Sequence, residues 1–117
     1  MAELKYSMDG FWIEKADNYV LIGLSDKGQD DLGEVSFINL PTTGEISKDD
    51  VLIGVEAAKA VTELPAPLSG IISEVNEVLS DEPSRLNSMD RTETWIVKMT
   101  SVDEEVYASL ENESGLE

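Results

Sequence analysis

The chain has no cysteine and no histidine among its 117 residues. Without thiols no disulfide can staple the fold, and no Cys/His set can hold a zinc ion. Ser-His-Asp and Cys-His nucleophiles are excluded with them. Basic residues are scarce too: eight lysines and arginines stand against 25 acidic residues, a formal net charge of −17. Nucleic acid and anionic membrane surfaces would repel such a chain. Its partners should carry basic patches, and salt should weaken their association. No apolar run nears the roughly 18 residues a membrane-crossing helix needs. The first residues, Met1-Ala2-Glu3-Leu4-Lys5, show no apolar signal core. The expectation is a cytoplasmic protein that binds neither membrane nor nucleic acid. Neither a P-loop nor a G-x-G-x-x-G loop occurs. Carboxylates are plentiful, but 25 of them make chance pairs unavoidable, so paired-carboxylate hydrolysis has no specific signal. An enzyme with its own active site is not expected.

What is present supports one folded domain, residues 1–117, with 41% hydrophobic content. Residues 112–117 read as a frayed end. Phe11-Trp12-Ile13 and Tyr19 to Leu24 read as strands, with a turn over Glu14 to Asn18. Ser25 to Leu32 reads as a short acidic helix. Ser25 or Asp26 can cap it, Asp26 and Gln29 have capping-box spacing, and Gly33 suits its close. Gly28 inside it speaks against a helix. Gly33 to Leu40 reads as a strand with Val35 and Phe37 on one face. Pro41 to Gly44 is a turn, and Glu45 to Asp50 a charged connection. Gly70 to Val75 and Thr94 to Thr100 read as strands, and Ser80 to Asn87 as a loop with one helical turn at most. Ser101 and Glu104 have capping-box spacing for a last helix striped by Val102, Val106 and Leu110. Leu32-Gly33-Glu34-Val35 and Ser69-Gly70-Ile71-Ile72 echo one another, as two related halves would. Many short strands without βαβ alternation indicate a mainly β core with added helices, one of them C-terminal.

The middle of the chain carries its most distinctive stretch. Val51 to Val55 leads into a small-residue tip, and Ala60 to Leu64 leads out. The two runs read as a hairpin. Ala57 and Ala58 add no bulk, so Lys59 projects alone. A lone turn lysine is ordinarily just solvated. An ordinary lysine amine is protonated at neutral pH and is no catalyst by itself. Such a tip does present a single amine to a large visiting enzyme.

Gly54-Val55-Glu56-Ala57-Ala58-Lys59-Ala60-Val61-Thr62-Glu63-Leu64 resembles the lipoyl-attachment motif of the H-protein of the glycine cleavage system. That family reads G-x-V-E-S-V-K-A-V-S-D-L or close to it. Ala66-Pro67-Leu68-Ser69-Gly70 with Glu74-Val75-Asn76 resembles its A-P-V-S-G-x-V-x-E-V-N. Ile22-Gly23-Leu24-Ser25-Asp26 and Leu32-Gly33-Glu34-Val35 resemble its I-G-I-T-D and L-G-D-V. Lys5-Tyr6, Trp12 and Trp95 also find counterparts, so the likeness runs collinearly over nearly the whole chain. It implies a barrel-sandwich hybrid of the lipoyl/biotinyl type, with lipoate in amide linkage to Lys59 and Glu56 and Glu63 as supporting groups. It implies a carrier acted on by other enzymes. A lipoate ligase or lipoyltransferase would load it. A pyridoxal-phosphate glycine decarboxylase, an aminomethyltransferase and a flavin dihydrolipoyl dehydrogenase would then use it.

The chain also departs from the family. Where the family has S-H-E-W, this chain reads Asp9-Gly10-Phe11-Trp12, and the family's glutamate there is thought to hold the amine of the loaded arm. Phe11 cannot accept such a bond. Glu63 stands for an aspartate, and Pro65 for a tyrosine-type residue. A divergent H-like group is therefore a second implied reading. Its lipoyl carrier serves lipoate relay or redox-linked modification with a sirtuin-like ADP-ribosyltransferase and a macrodomain protein. Asp26 is then a candidate modification acceptor. A third is an interaction module that kept the fold without lipoate.

Overall fold

The computed structural model describes residues 3–7, 10–16, 18–87 and 94–111. A six-stranded antiparallel sheet begins with β1 (Glu3–Tyr6), β2 (Phe11–Lys15) and β3 (Val20–Leu24). It continues through β9 (Trp95–Thr100) and β8 (Gly70–Val75) to β5 (Gly44–Ile46). A second sheet has three strands in the order β4 (Val35–Asn39), β6 (Val51–Ala57) and β7 (Val61–Pro65). Among the described residues the short helices are α1 (Asp26–Leu32), α2 (Val78–Asp81) and α3 (Glu104–Ser109), with a 3-10 segment at Pro83–Asn87. No helix among the described residues is long and apolar enough to cross a membrane.

One apolar cluster joins the sheets. Phe11, Ile13, Ile22 and Leu24 enter it from the larger sheet, and Leu52, Ile53 and Val55 from the smaller. Leu79 and Leu86 close it from α2 and the 3-10 segment. Burial of such side chains is the main force holding the sheets together, at about 1.5–3 kcal/mol for each fully buried Leu, Ile or Phe.

The strands, the lysine hairpin and the acidic helix stand where the sequence placed them. Ser25 is the α1 N-cap: its buried Oγ accepts from Gly28 N–H at 3.1 Å. Gly33 closes α1 at φ +75°, donating to Gln29 O at 2.8 Å. Other expectations need correction. Glu45–Asp50 is not wholly a connection, because Glu45 and Ile46 pair with Ile71 and Gly70 in β5. Residues 78–87 are helical almost throughout, since Leu79 and Leu86 need a rigid frame to reach the core. Val35 and Phe37 do not share a face. The β4–β6 register shifts between them, so Val35 and Ile38 point inward while Phe37 is 53% exposed. One extra residue in a bulge flips side-chain parity. The last helix is capped by Asp103, not Ser101. Asp103 Oδ1 accepts from Glu105 N–H at 3.0 Å, while Ser101 sits at φ +52°. Its buried residue is Tyr107, beside the half-buried Val106 and Leu110. The echoing segments take unlike places, one entering the small sheet and one the large. Asp17 and the expected fraying of 112–117 lie outside the described residues.

Candidate functional site: the lysine hairpin

β6 and β7 pair from Val51↔Pro65 to Glu56↔Val61. Ala57 N–H then donates to Ala60 O at 2.9 Å and closes the turn. Neither Ala58 nor Lys59 has a positive φ, so the tip needs no glycine. It is held instead by the chain leaving α1. Ala58 N–H donates to Glu34 O at 2.8 Å, and Lys59 N–H to Leu32 O at 2.9 Å. The Lys59 stem crosses Gly33, where a β-carbon would stand 3.2 Å from Lys59 Cγ. Its Nζ donates to Asp30 O at 2.9 Å.

That carbonyl belongs to the last turn of α1, where orphan acceptors and the negative end of the helix dipole favour a cation. The last turn of α1 has no basic residue of its own. Lys59 supplies one from the neighbouring hairpin. The side chain stays exposed, so the amine is ordered yet reachable.

Glu56 and Glu63 flank this tip without touching its amine. They lie on the outward face of the small sheet, Glu56 opposite Val61 and Phe37, Glu63 opposite Gly54. Neither forms a salt bridge among the described residues. They border an open groove of about 440 Å³ floored by Gly54 and walled by Phe37 and Val61. Asp26 is exposed in the first turn of α1, its Oδ1 accepting from Lys27 N–H at 2.8 Å. At 1.5 Å rise per residue it stands about 6 Å along the axis from Asp30, whose carbonyl holds Lys59. Phe11 is not at the tip. It is fully buried in the core.

Sequence reasoning missed three contributors. The carbonyls of Asp30, Leu32 and Glu34 are backbone groups with no side-chain signature. Asn87 bridges the start of β4, donating from Nδ2 to Gly33 O at 2.8 Å and accepting at Oδ1 from Val35 N–H at 2.9 Å. It is more than fifty positions away in sequence. Phe37 was hidden by the bulge. No cluster of His, Cys, Asp or Glu among the described residues is placed to hold a metal ion.

Two sheets closed around one core, with an exposed lysine on a hairpin tip, define a barrel-sandwich hybrid of the lysine-presenting kind. The chain belongs to the glycine cleavage H-protein family: the profile described as "Glycine cleavage H-protein" matches residues 4–117. It is 45% identical over 107 residues to a "Probable glycine cleavage system H protein" of Thermococcus kodakarensis, covering 88% of this chain and 79% of that relative. A protein of the same description from Thermococcus gammatolerans is 41% identical over 115 residues, covering 95% and 85%. In structure it is similar to a glycine cleavage system H protein from Mycobacterium marinum. The TM-score is 0.76 at 27% identity, over 91% of this chain and 94% of the other.

Proposed function

We propose that this chain, as one domain, is the lipoyl carrier of a glycine cleavage system, with lipoate in amide linkage to Lys59. The observation that carries this reading is the tip itself, in a chain of this family. Backbone bonds to Leu32 and Glu34 fix the Cα of an exposed lysine while alanines on either side leave room for an enzyme. The residues fit the group. An accessible primary amine is the only chemistry an acyl linkage needs from the carrier. The acylating enzyme must first draw Nζ away from Asp30 O. Loss of one positive charge changes the formal −17 to −18. Lipoate, when attached, supplies the dithiolane that carries the aminomethyl group and the electrons. The protein's part is presentation. Glu56 and Glu63 are supporting groups on the face an enzyme meets first. The partners are a lipoate ligase or lipoyltransferase, then the decarboxylase, the aminomethyltransferase and the dihydrolipoyl dehydrogenase.

The test is intact mass after coexpression with a lipoate ligase. The wild-type chain gains one lipoyl group and Lys59→Ala gains none. A wild-type chain of unchanged mass would leave only the reading as an interaction module.

A second reading has its own support. Phe11 offers no acid to hold an aminomethyl amine, and Asp26 is exposed on the helix that anchors Lys59. It is lipoate relay, or redox signalling in which a sirtuin-like ADP-ribosyltransferase modifies Asp26 and a macrodomain protein reads it. Glycine decarboxylation with the lipoylated chain and a competent decarboxylase separates the two: turnover supports the first, and its absence the second.

A further inference from the structure

The outward face of the small sheet holds a feature the lysine does not use. Phe37 is 53% exposed and Val61 75% exposed. The two walls they form belong to the groove of about 440 Å³ beside the hairpin. Phe37 also walls a second groove, of about 470 Å³, between the end of β4 and α2. An aromatic ring thus stands as a ridge between two open depressions. Four carboxylates rim them: Glu56 and Glu63 on one side, Glu77 and Asp81 on the other. All four are exposed, and none has a salt bridge among the described residues.

Six of the described cations are engaged elsewhere. Lys15 pairs with Glu104, Lys27 with Asp31, Lys48 with Asp49, Arg85 with Glu82 and Lys98 with Glu74. Lys59 is turned onto α1. An apolar centre inside an uncompensated acidic rim suits a surface of opposite make-up. Buried aromatic anchors carry most interface energy, and charged rims set encounter rate and partner choice.

We propose that this ridge is the docking surface for the enzyme that acylates Lys59. That enzyme would seat an apolar pocket over Phe37 and Val61, with lysines and arginines facing the four carboxylates. Val61 is two residues from Lys59, so an enzyme covering the amine lies over this face. The proposal rests on Lys59 being the acylation site. It adds that recognition is made by the sheet face out to α2, well beyond the residues flanking the lysine.

The experiment follows lipoylation by a lipoate ligase with lipoate and ATP, on the wild-type chain, Phe37→Ser, and the double variant Glu77→Lys/Asp81→Lys. Thermal unfolding is recorded beside it. Phe37→Ser raises KM about tenfold, the loss expected for an interface anchor, and leaves kcat in place. The double variant raises KM and flattens its rise with salt. Unfolding temperatures stay near wild type, because all three positions are exposed. An unchanged KM in both variants, with wild type acylated, overturns the docking surface and leaves Lys59 as acceptor. A fall in kcat with KM fixed overturns it as well. A wild-type chain that is not acylated overturns both readings together.

Discussion

At the scale of single residues, the Phe11 position, where the resembled motif carries an acid, is an interior one. Phe11 is 0% exposed, packed among the buried strands of the larger sheet. Restoring an acid there would not build a pocket for an amine. Phe11→Glu removes a core aromatic and puts an unpaired carboxylate in its place, costing at least about 4 kcal/mol. That approaches the whole stability of a small domain. Chemical denaturation should show the loss directly, and aminomethyl loading should fall. A variant of wild-type stability that loads better would mean that this position faces solvent. The sequence could identify the departure but not its burial. Phe11, Trp12 and Ile13 are all buried, so β2 lacks the alternation that tells inside from outside. The place of Lys59 on an exposed hairpin tip was legible for the opposite reason: small neighbours between two apolar runs mark it without reference to depth. Phe37 was misread because parity arguments assume an unbroken register, and the bulge before it breaks that register.

Among the elements, α1 was readable from its cap, its acidic run and its closing glycine, and only Gly28 argued against it. The structure turns that objection into an explanation. Gly28 is the point where α1 lies against the turn before β2, and a β-carbon there would stand 2.3 Å from Gly10 O and 2.7 Å from Leu24 Cδ1. Ser25 N–H also donates to Gly10 O at 2.8 Å, so the close approach is tied on both sides. Alanine in place of glycine improves helix propensity by about 1 kcal/mol. Here the clash with backbone must win. Gly28→Ala should destabilise the chain by a net of about 1–3 kcal/mol, read as a lowered melting temperature. A raised one would show that α1 can lift without cost. β5 and the helical segments at 78–87 were not legible. Three residues of strand leave no period to detect. The 78–87 segments owe their form to two leucines reaching a core that sequence alone does not locate.

For the whole molecule, charge works in two directions. The chain spans 34 × 32 × 24 Å with a formal −17. At about 0.01 M salt the Debye length is about 30 Å, so nearly every carboxylate feels every other; at 0.15 M it is about 8 Å. Adding salt over that range should raise the melting temperature by relieving self-repulsion. The same addition should weaken association with a basic partner. Calorimetry across a salt series checks the first, and a melting point that falls would mean that the surface ion pairs outweigh the repulsion. The fold class could be read because hydrophobic patterning survives this acidity. What patterning did not contain was how the hairpin tip is held. Its amides rest on carbonyls at Leu32 and Glu34, and its amine on Asp30. A short peptide spanning residues 54–64 would carry every letter of the attachment motif and none of these supports. If Lys59 is the acceptor, as proposed, acylation would double as an inspection step: a chain that has not yet brought α1 to its hairpin lacks the bonds that place the lysine, and cargo would go to finished molecules in preference to nascent or damaged ones.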